Sequence, residues 1–489
     1  MRVFAISTTR CGVLKKAFFT NSSGILFSRI FGFLRDLFTA NLLGAGVLSD
    51  IFFAAFKFPN LFRRIFGEGA FAQSFLPSLI FSKRKGAFMV SAFFIFAIAI
   101  LLLTLLVWQF SGFFTKLLAY GFSEEQIALT QPIVVINFWY LELVFITTFL
   151  STILQYKNIF WVSAYNTILL NVFMILSLFV AKDSSGMEIV YLLSYGVLCG
   201  GVAQVVIHFY PLYQARFLKL FITGCKDLWA ILNNRAKAHV KRFYQESIRG
   251  FFKQFFPAML GSSTAQIAAF LDTILASFLA TGSISYLYYA NRIFQLPLAI
   301  FAIAVSTALF PTIARAIKNT KEEEAKRLMK NAFWILMILL SVCVCGGVML
   351  KNEIIYLIFE HGSFERENTL ITANVFALYL LGLLPFGLAK IFSLWLYAHK
   401  LQGKAALISA ISLLVALLCS LVLMQFFAVY GLALASSIGG IVLFALTIKH
   451  FGLREFASIL LFKKAIFALL ALLALEILIL KIFLHFVHI

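Results

Sequence analysis

Across positions 50–68, Asp50, Ala54, Lys57, Leu61, Arg64 and Glu68 recur at i, i+4, i+7, i+11, i+14 and i+18, which a helix would gather into one stripe. Just upstream, Arg29, Gly32 and Asp36 share a helical face, with Arg35 on its flank. Both sets lie inside apolar runs. A basic residue at the centre of a bilayer costs about 2.5–3.5 kcal/mol even on the gentler insertion scales, so such side chains must face a wet cavity or one another. The chemistry open to a wet cationic cavity is anion recognition, because a guanidinium fork can hold phosphate or carboxylate through two charge-assisted hydrogen bonds. The alternative is mutual pairing, of Arg64 with Glu68 and of Arg29 or Arg35 with Asp36. Counting favours the anion site. Arg29, Arg35, Lys57, Arg63 and Arg64 meet only Asp36, Asp50 and Glu68, which leaves two positive charges over. Arg292 adds a third if it reaches the same cavity, and Arg29, Arg35 and Arg292 are expected to line one. Pro59, Gly67 and Gly69 are expected to break the second helix and free backbone N–H groups at the same depth.

The elements that must position these residues are membrane spans. Of 489 residues, 62% are hydrophobic and 12% charged, against roughly half and a quarter in a soluble domain. Apolar runs long enough to cross a hydrocarbon core fall at about 22–45, 50–82, 87–115, 127–154, 158–181, 188–213, 250–280, 284–315, 328–350, 368–398, 404–427, 428–449 and 464–486, thirteen in all. The basic stretch before the first has no small-residue cleavage site, so the first span is expected to be retained. With the N-terminus in the cytoplasm, 28 of the 41 Lys and Arg residues fall on the inside and four outside, leaving nine within spans. That asymmetry is the positive-inside rule. It accounts for most of the net charge of +21, so no nucleic-acid partner is implied. Three of the nine, Lys253, Lys390 and Lys481, lie near span ends and can snorkel.

The connection 214–249 is basic and carries apolar residues at helical spacing, as an amphipathic helix on the inner leaflet would. It also divides two similar halves. "FLRDLFTANLLGAG" at 33–46 aligns with "AFLDTILASFLATG" at 269–282, pairing Asp36 with Asp272 and Gly46 with Gly282. Farther on, Lys57 aligns with Arg292, and "FLP" at 75–77 with "LFP" at 309–311. Six spans per unit is even, so the copies share one orientation, with a binding site expected between them. The expected organisation is a six-helix lobe over 1–213, the amphipathic linker 214–249, a second six-helix lobe over 250–451, and an additional C-terminal segment over 452–489. The fold class is an all-α polytopic membrane protein, two parallel lobes around a central cationic cavity with one or two extra C-terminal helices.

The run "SRIFGFLRDLFTANLLGAGVLSDIFFAAFKFPNLFRRIFGEGAFAQSFLP" (28–77) resembles the MurJ/MviN family of lipid II flippases, of the multidrug/oligosaccharidyl-lipid/polysaccharide exporter superfamily. "ASFLATGSISYLYYANRIFQLP" (276–297) resembles that family's second signature. The resemblance implies two lobes opening alternately to each leaflet of a bacterial inner membrane. It implies lipid II, an undecaprenyl-diphosphate-linked disaccharide pentapeptide, as substrate. Membrane lipids and the cell-wall synthesis machinery would be its other partners. Substrate-binding and gating positions carry over to Arg29, Arg35, Arg63, Arg64 and Arg292, and the family's acidic position to Asp50. Two departures stand out. Acidic residues expected around the last arginine are Asn291 and Gln295 here, and the usual fourteen spans exceed the thirteen read above.

Other classes fit less well. The alternative is another exporter of the same superfamily, of O-antigen or polysaccharide lipids or of drugs, and an exporter of cationic drugs needs carboxylates rather than arginines in its cavity. An enzyme acting on polyprenyl phosphates needs clustered acids for Mg²⁺, whereas Asp36, Asp50, Asp183, Asp227 and Asp272 are dispersed. The six cysteines include Cys343 and Cys345 as C-x-C, without partners at zinc-ligand spacing. There is no phosphate-binding glycine loop of an ATPase. No cofactor and no metal are expected. Energy would come from the membrane potential, at about 2.3 kcal/mol per charge per 100 mV, or from an ion gradient whose ion the sequence does not identify.

Overall fold

The computed structural model describes residues 2–67 and 70–487 and, within them, the side chains outside 2–22, 63–67, 260–265, 268 and 487. All of the regular structure among the described residues is helical. Helices α1 (Arg2–Leu43), α2 (Val47–Gly67), α3 (Ala70–Phe81), α4 (Lys85–Gln109), α5 (Ser111–Leu118), α6 (Glu124–Tyr156), α7 (Trp161–Val180), α8 (Met187–Gln214), α9 (Phe217–Leu232) and α10 (Ala238–Ser277) come first. They are followed by α11 (Ser283–Pro297), α12 (Ala304–Lys318), α13 (Glu322–Met349), α14 (Lys351–Phe359), α15 (Arg366–Leu380), α16 (Leu383–Ala398), α17 (Gln402–Phe451), α18 (Leu453–Leu460) and α19 (Lys463–Val487). By packing, the chain forms two compact units, one of residues 1–43 and 47–270, the other of 44–46 and 271–489.

Where their residues are described, the expected spans fall mainly on helix, and among the described residues nine helical segments are long and apolar enough to cross a membrane. Three expectations need correcting. The first helix begins at Arg2 rather than near 22. The amphipathic helix of the 214–249 connection is confined to α9, since the seventh span's helix already starts at Ala238. Hydropathy misses both extensions because their charged residues do not interrupt backbone hydrogen bonding. Finally, α2 runs unbroken through the buried Pro59 and ends at Gly67 as expected, while Gly69 lies outside the described residues. Proline removes one hydrogen bond, and a helix packed among neighbours tolerates that loss.

The first unit is built on phenylalanine. Phe71, Phe75, Phe88, Phe145, Phe149 and Phe251 are each completely buried. They meet in edge-on and offset stacks with centroids 5.1–6.4 Å apart, such as Phe71 on Phe145 at 5.5 Å and Phe75 on Phe88 at 5.4 Å. Edge-to-face and offset contacts of this kind add to simple burial. Helix α9 docks on α4 where Gly86 meets Gly224, since a Cβ on Gly224 would lie 2.5 Å from the Gly86 carbonyl oxygen. Its Leu218, Ile222 and Trp229 stay exposed, the apolar side of an interfacial helix.

In the second unit, α17 is a hairpin of two spans. Ala428, with φ 48° and ψ −130°, reverses the chain, between the runs read as 404–427 and 428–449. Ser412 Oγ donates to the Gly439 carbonyl at 2.7 Å across the fold-back. A residue with a Cβ is strained at this backbone conformation, by about 1–3 kcal/mol. Ala428→Gly is therefore expected to raise stability by about 1 kcal/mol, read as a higher melting temperature in detergent; an unchanged or lower value contradicts the strain.

Candidate functional site

Helix α1 carries Arg29, Arg35 and Asp36. Arg35 and Asp36 are buried, at 7% and 1% exposure. The Arg35 guanidinium donates to Asp36 Oδ1 from Nη2 at 2.6 Å and from Nε at 3.1 Å. Neighbouring residues on a helix point apart, and only the length of the arginine lets it fold back onto the next carboxylate. Its Nη1 donates to Asn171 Oδ1 at 3.1 Å. Asn171, on α7, turns its own Nδ2 to the carbonyls of Ser28 and Thr167, each at 3.3 Å. Part of the mutual-pairing reading therefore holds. Arg35 is engaged by a carboxylate and an amide, and Asn171 locks α7 to α1. Arg29, two turns earlier, is exposed.

The stripe of α2 changes character along its length. Asp50 and Ala54 are buried, at 4% and 0% exposure, while Lys57 and Leu61 are half-buried. Arg63 and Arg64 lie on helical backbone, but their side chains fall outside the described set, and Glu68 lies outside the described residues altogether. In the second unit, Arg292 is half-buried on α11. Its Nη2 donates to the Tyr288 hydroxyl at 2.8 Å, and its guanidinium carbon sits 5.0 Å from the Tyr288 ring centre, within cation–π range. Asn291 and Gln295 hydrogen-bond to each other, Gln295 Nε2 donating to Asn291 Oδ1. A neutral amide pair thus stands beside Arg292.

Sequence reasoning passed over three residues inside spans. Asn171 reads as part of an apolar run, and its only signal was that an amide there needs partners. Glu142 on α6 and Glu476 on α19 are carboxylates in mid-span, each with Oε2 buried and bonded to no described group. Glu476 fits where Gly346 lacks a side chain, a Cβ there lying 2.9 Å from its Oε1. Among the described residues, no cluster of three or more His, Cys, Asp or Glu could hold a metal ion.

The described residues define an all-α, multi-pass membrane protein with cationic and acidic side chains held inside its spans. The chain belongs to the MurJ family: the family model described as lipid II flippase MurJ matches residues 39–489, beginning just after Arg29, Arg35 and Asp36. A probable lipid II flippase MurJ of Helicobacter pylori is 55% identical over 444 residues, covering 91% of this chain and 96% of the relative. One from Buchnera aphidicola is 34% identical, covering 89% and 83%. Among solved structures, a lipid II flippase MurJ in an inward closed conformation superposes with a TM-score of 0.75 at 26% identity, covering 94% of this chain and 96% of that one. An inward-facing multidrug resistance transporter of the MATE family reaches 0.68 at 13% identity, covering 89% and 96%, a likeness of fold alone.

Proposed function

We propose that this protein flips lipid II from the inner to the outer leaflet of a bacterial inner membrane, by alternating access. Membership of the MurJ family, with 55% identity to a curated relative over 91% of the chain, carries the reading. Physical chemistry supports it. Flipping breaks no bond; its barrier is the passage of a diphosphate and a large polar headgroup through hydrocarbon. A wet, cationic surface presenting guanidinium groups lowers that barrier by replacing water around the anion. The N-terminus and the 214–249 connection lie in the cytoplasm on this reading, by the distribution of Lys and Arg. No cofactor takes part, and the membrane potential or an ion gradient drives the cycle. Membrane lipids and the cell-wall synthesis machinery are its further partners.

The test is lipid II translocation by the purified protein in liposomes, with and without an imposed potential. Movement of lipid II at a rate well above empty liposomes is expected, accelerated by potential of one sign. Rates equal to empty liposomes under every gradient would remove the proposal.

A further inference from the structure

Inside the first unit, α3, α6, α7 and α8 enclose a cavity of about 150 Å³. Among the described residues, its wall contains no charged side chain. Hydroxyls and amides share it about equally with apolar atoms, and include Thr147, Thr148, Ser151, Asn166, Thr167 and Gln204. A hydrogen-bond network fixes Ser151, Asn166, Thr167 and Gln204. Ser151 Oγ and His208 Nε2 lie 2.7 Å apart, and His208 Nδ1 lies 2.6 Å from the Gln204 carbonyl, so both ring nitrogens are occupied. The Tyr140 hydroxyl donates to Gln204 Oε1 at 3.3 Å, and Gln204 Nε2 donates to the Asn166 carbonyl at 3.0 Å. Thr147 differs. It is 5% exposed, lines the cavity, and its Oγ1 bonds to no described protein group. A buried hydroxyl left without a partner is destabilising, and few native groups are so placed without a reason.

The lining selects a ligand class. Among the described residues of this wall an anion finds no cation, and a bare metal cation no carboxylate to offset its desolvation. An uncharged group rich in hydroxyls and amides matches the donors and acceptors, and the volume admits one sugar ring. The cavity is also next to the arginine site. Thr167 lies one helical turn from Asn171, about 6 Å along α7, and Asn171 holds Arg35.

We infer that this cavity is a subsite for an uncharged N-acyl sugar ring of the translocated headgroup, whose diphosphate meets Arg29 on α1. The inference rests on the lipid II reading. Binding of lipid II and of undecaprenyl diphosphate, which lacks the sugars, tests it on the purified full-length protein and on a Thr147→Val/Thr148→Val variant. Valine keeps the shape of threonine and removes the hydroxyls, and an unchanged melting temperature will show that the variant is folded. The wild type is expected to bind lipid II at least tenfold more tightly than undecaprenyl diphosphate. The variant should lose about tenfold in affinity for lipid II, as the loss of two hydrogen bonds implies, with undecaprenyl diphosphate unaffected. A variant that keeps the full preference overturns the subsite, as does a wild type that binds both lipids equally; either leaves the diphosphate reading standing. A wild type that binds neither lipid overturns the transport reading and the subsite together.

Discussion

Arg35→Ala removes most of the protein from the membrane, and adding Asp36→Asn to the same chain brings it back. Both side chains are buried, and the guanidinium donates twice to Asp36 Oδ1, at 2.6 and 3.1 Å. Alanine leaves the carboxylate in the interior without that countercharge, which costs about 3–5 kcal/mol. A typical folded protein is stable by only about 5–15 kcal/mol. Asparagine in place of Asp36 removes the stranded charge and most of the penalty. Protein level in the membrane fraction and melting temperature in detergent measure both variants. If the single variant keeps wild-type level and melting, the pair contributes little to stability. The pairing therefore changes how a loss of transport at position 35 is to be interpreted, since instability by itself would produce it.

Arg29 should behave in the opposite way. Its side chain is exposed, and no hydrogen bond or ion pair joins it to a described residue. Arg29→Ala is expected to leave abundance and melting unchanged while slowing lipid II translocation about a hundredfold or more. That is the order expected when two charge-assisted hydrogen bonds to a diphosphate are lost, at about 1.5–3 kcal/mol each. Arg29→Lys should recover part of the rate, because an ammonium keeps the charge without the fork. The control is Lys481→Ala, on the exposed face of α19, which should transport normally. Normal transport by Arg29→Ala would exclude a direct role for this arginine.

Span placement was legible because crossing a bilayer demands a long apolar run, and that demand leaves a mark in any sequence. The division at 427/428 was legible for the same reason, and the reversal sits on Ala428 itself. The full lengths of α1 and α10 were not, because helix continues into charged sequence without cost. At the site, the charge count identified the residues but could not choose their partners. Arg35 and Asp36 were named both as substrate contacts and as a pair, and the fold joins them. Asn171 was passed over because a neutral amide carries no charge to count, yet it binds Arg35 and ties two helices together. Glu142 and Glu476 were overlooked because the count followed cations, and acids outside the first two spans never entered it.

The phenylalanine core has an optical consequence. The chain has 58 Phe and six Trp, and the stacked core of the first unit contains no tryptophan. Light absorbed only by indole therefore leaves that core dark. In the first unit, emission would come from Trp108, Trp139, Trp161 and Trp229, all at least 38% exposed and so in contact with lipid, detergent or water. Trp334 in the second unit is the counterexample, 6% exposed and donating from Nε1 to the Ile459 carbonyl at 2.9 Å. Its emission should be blue-shifted and should change when the α13–α18 contact opens. Intrinsic fluorescence of this protein thus monitors the surface of one unit and, through Trp334, the interior of the other, where the half-buried Trp395 also emits.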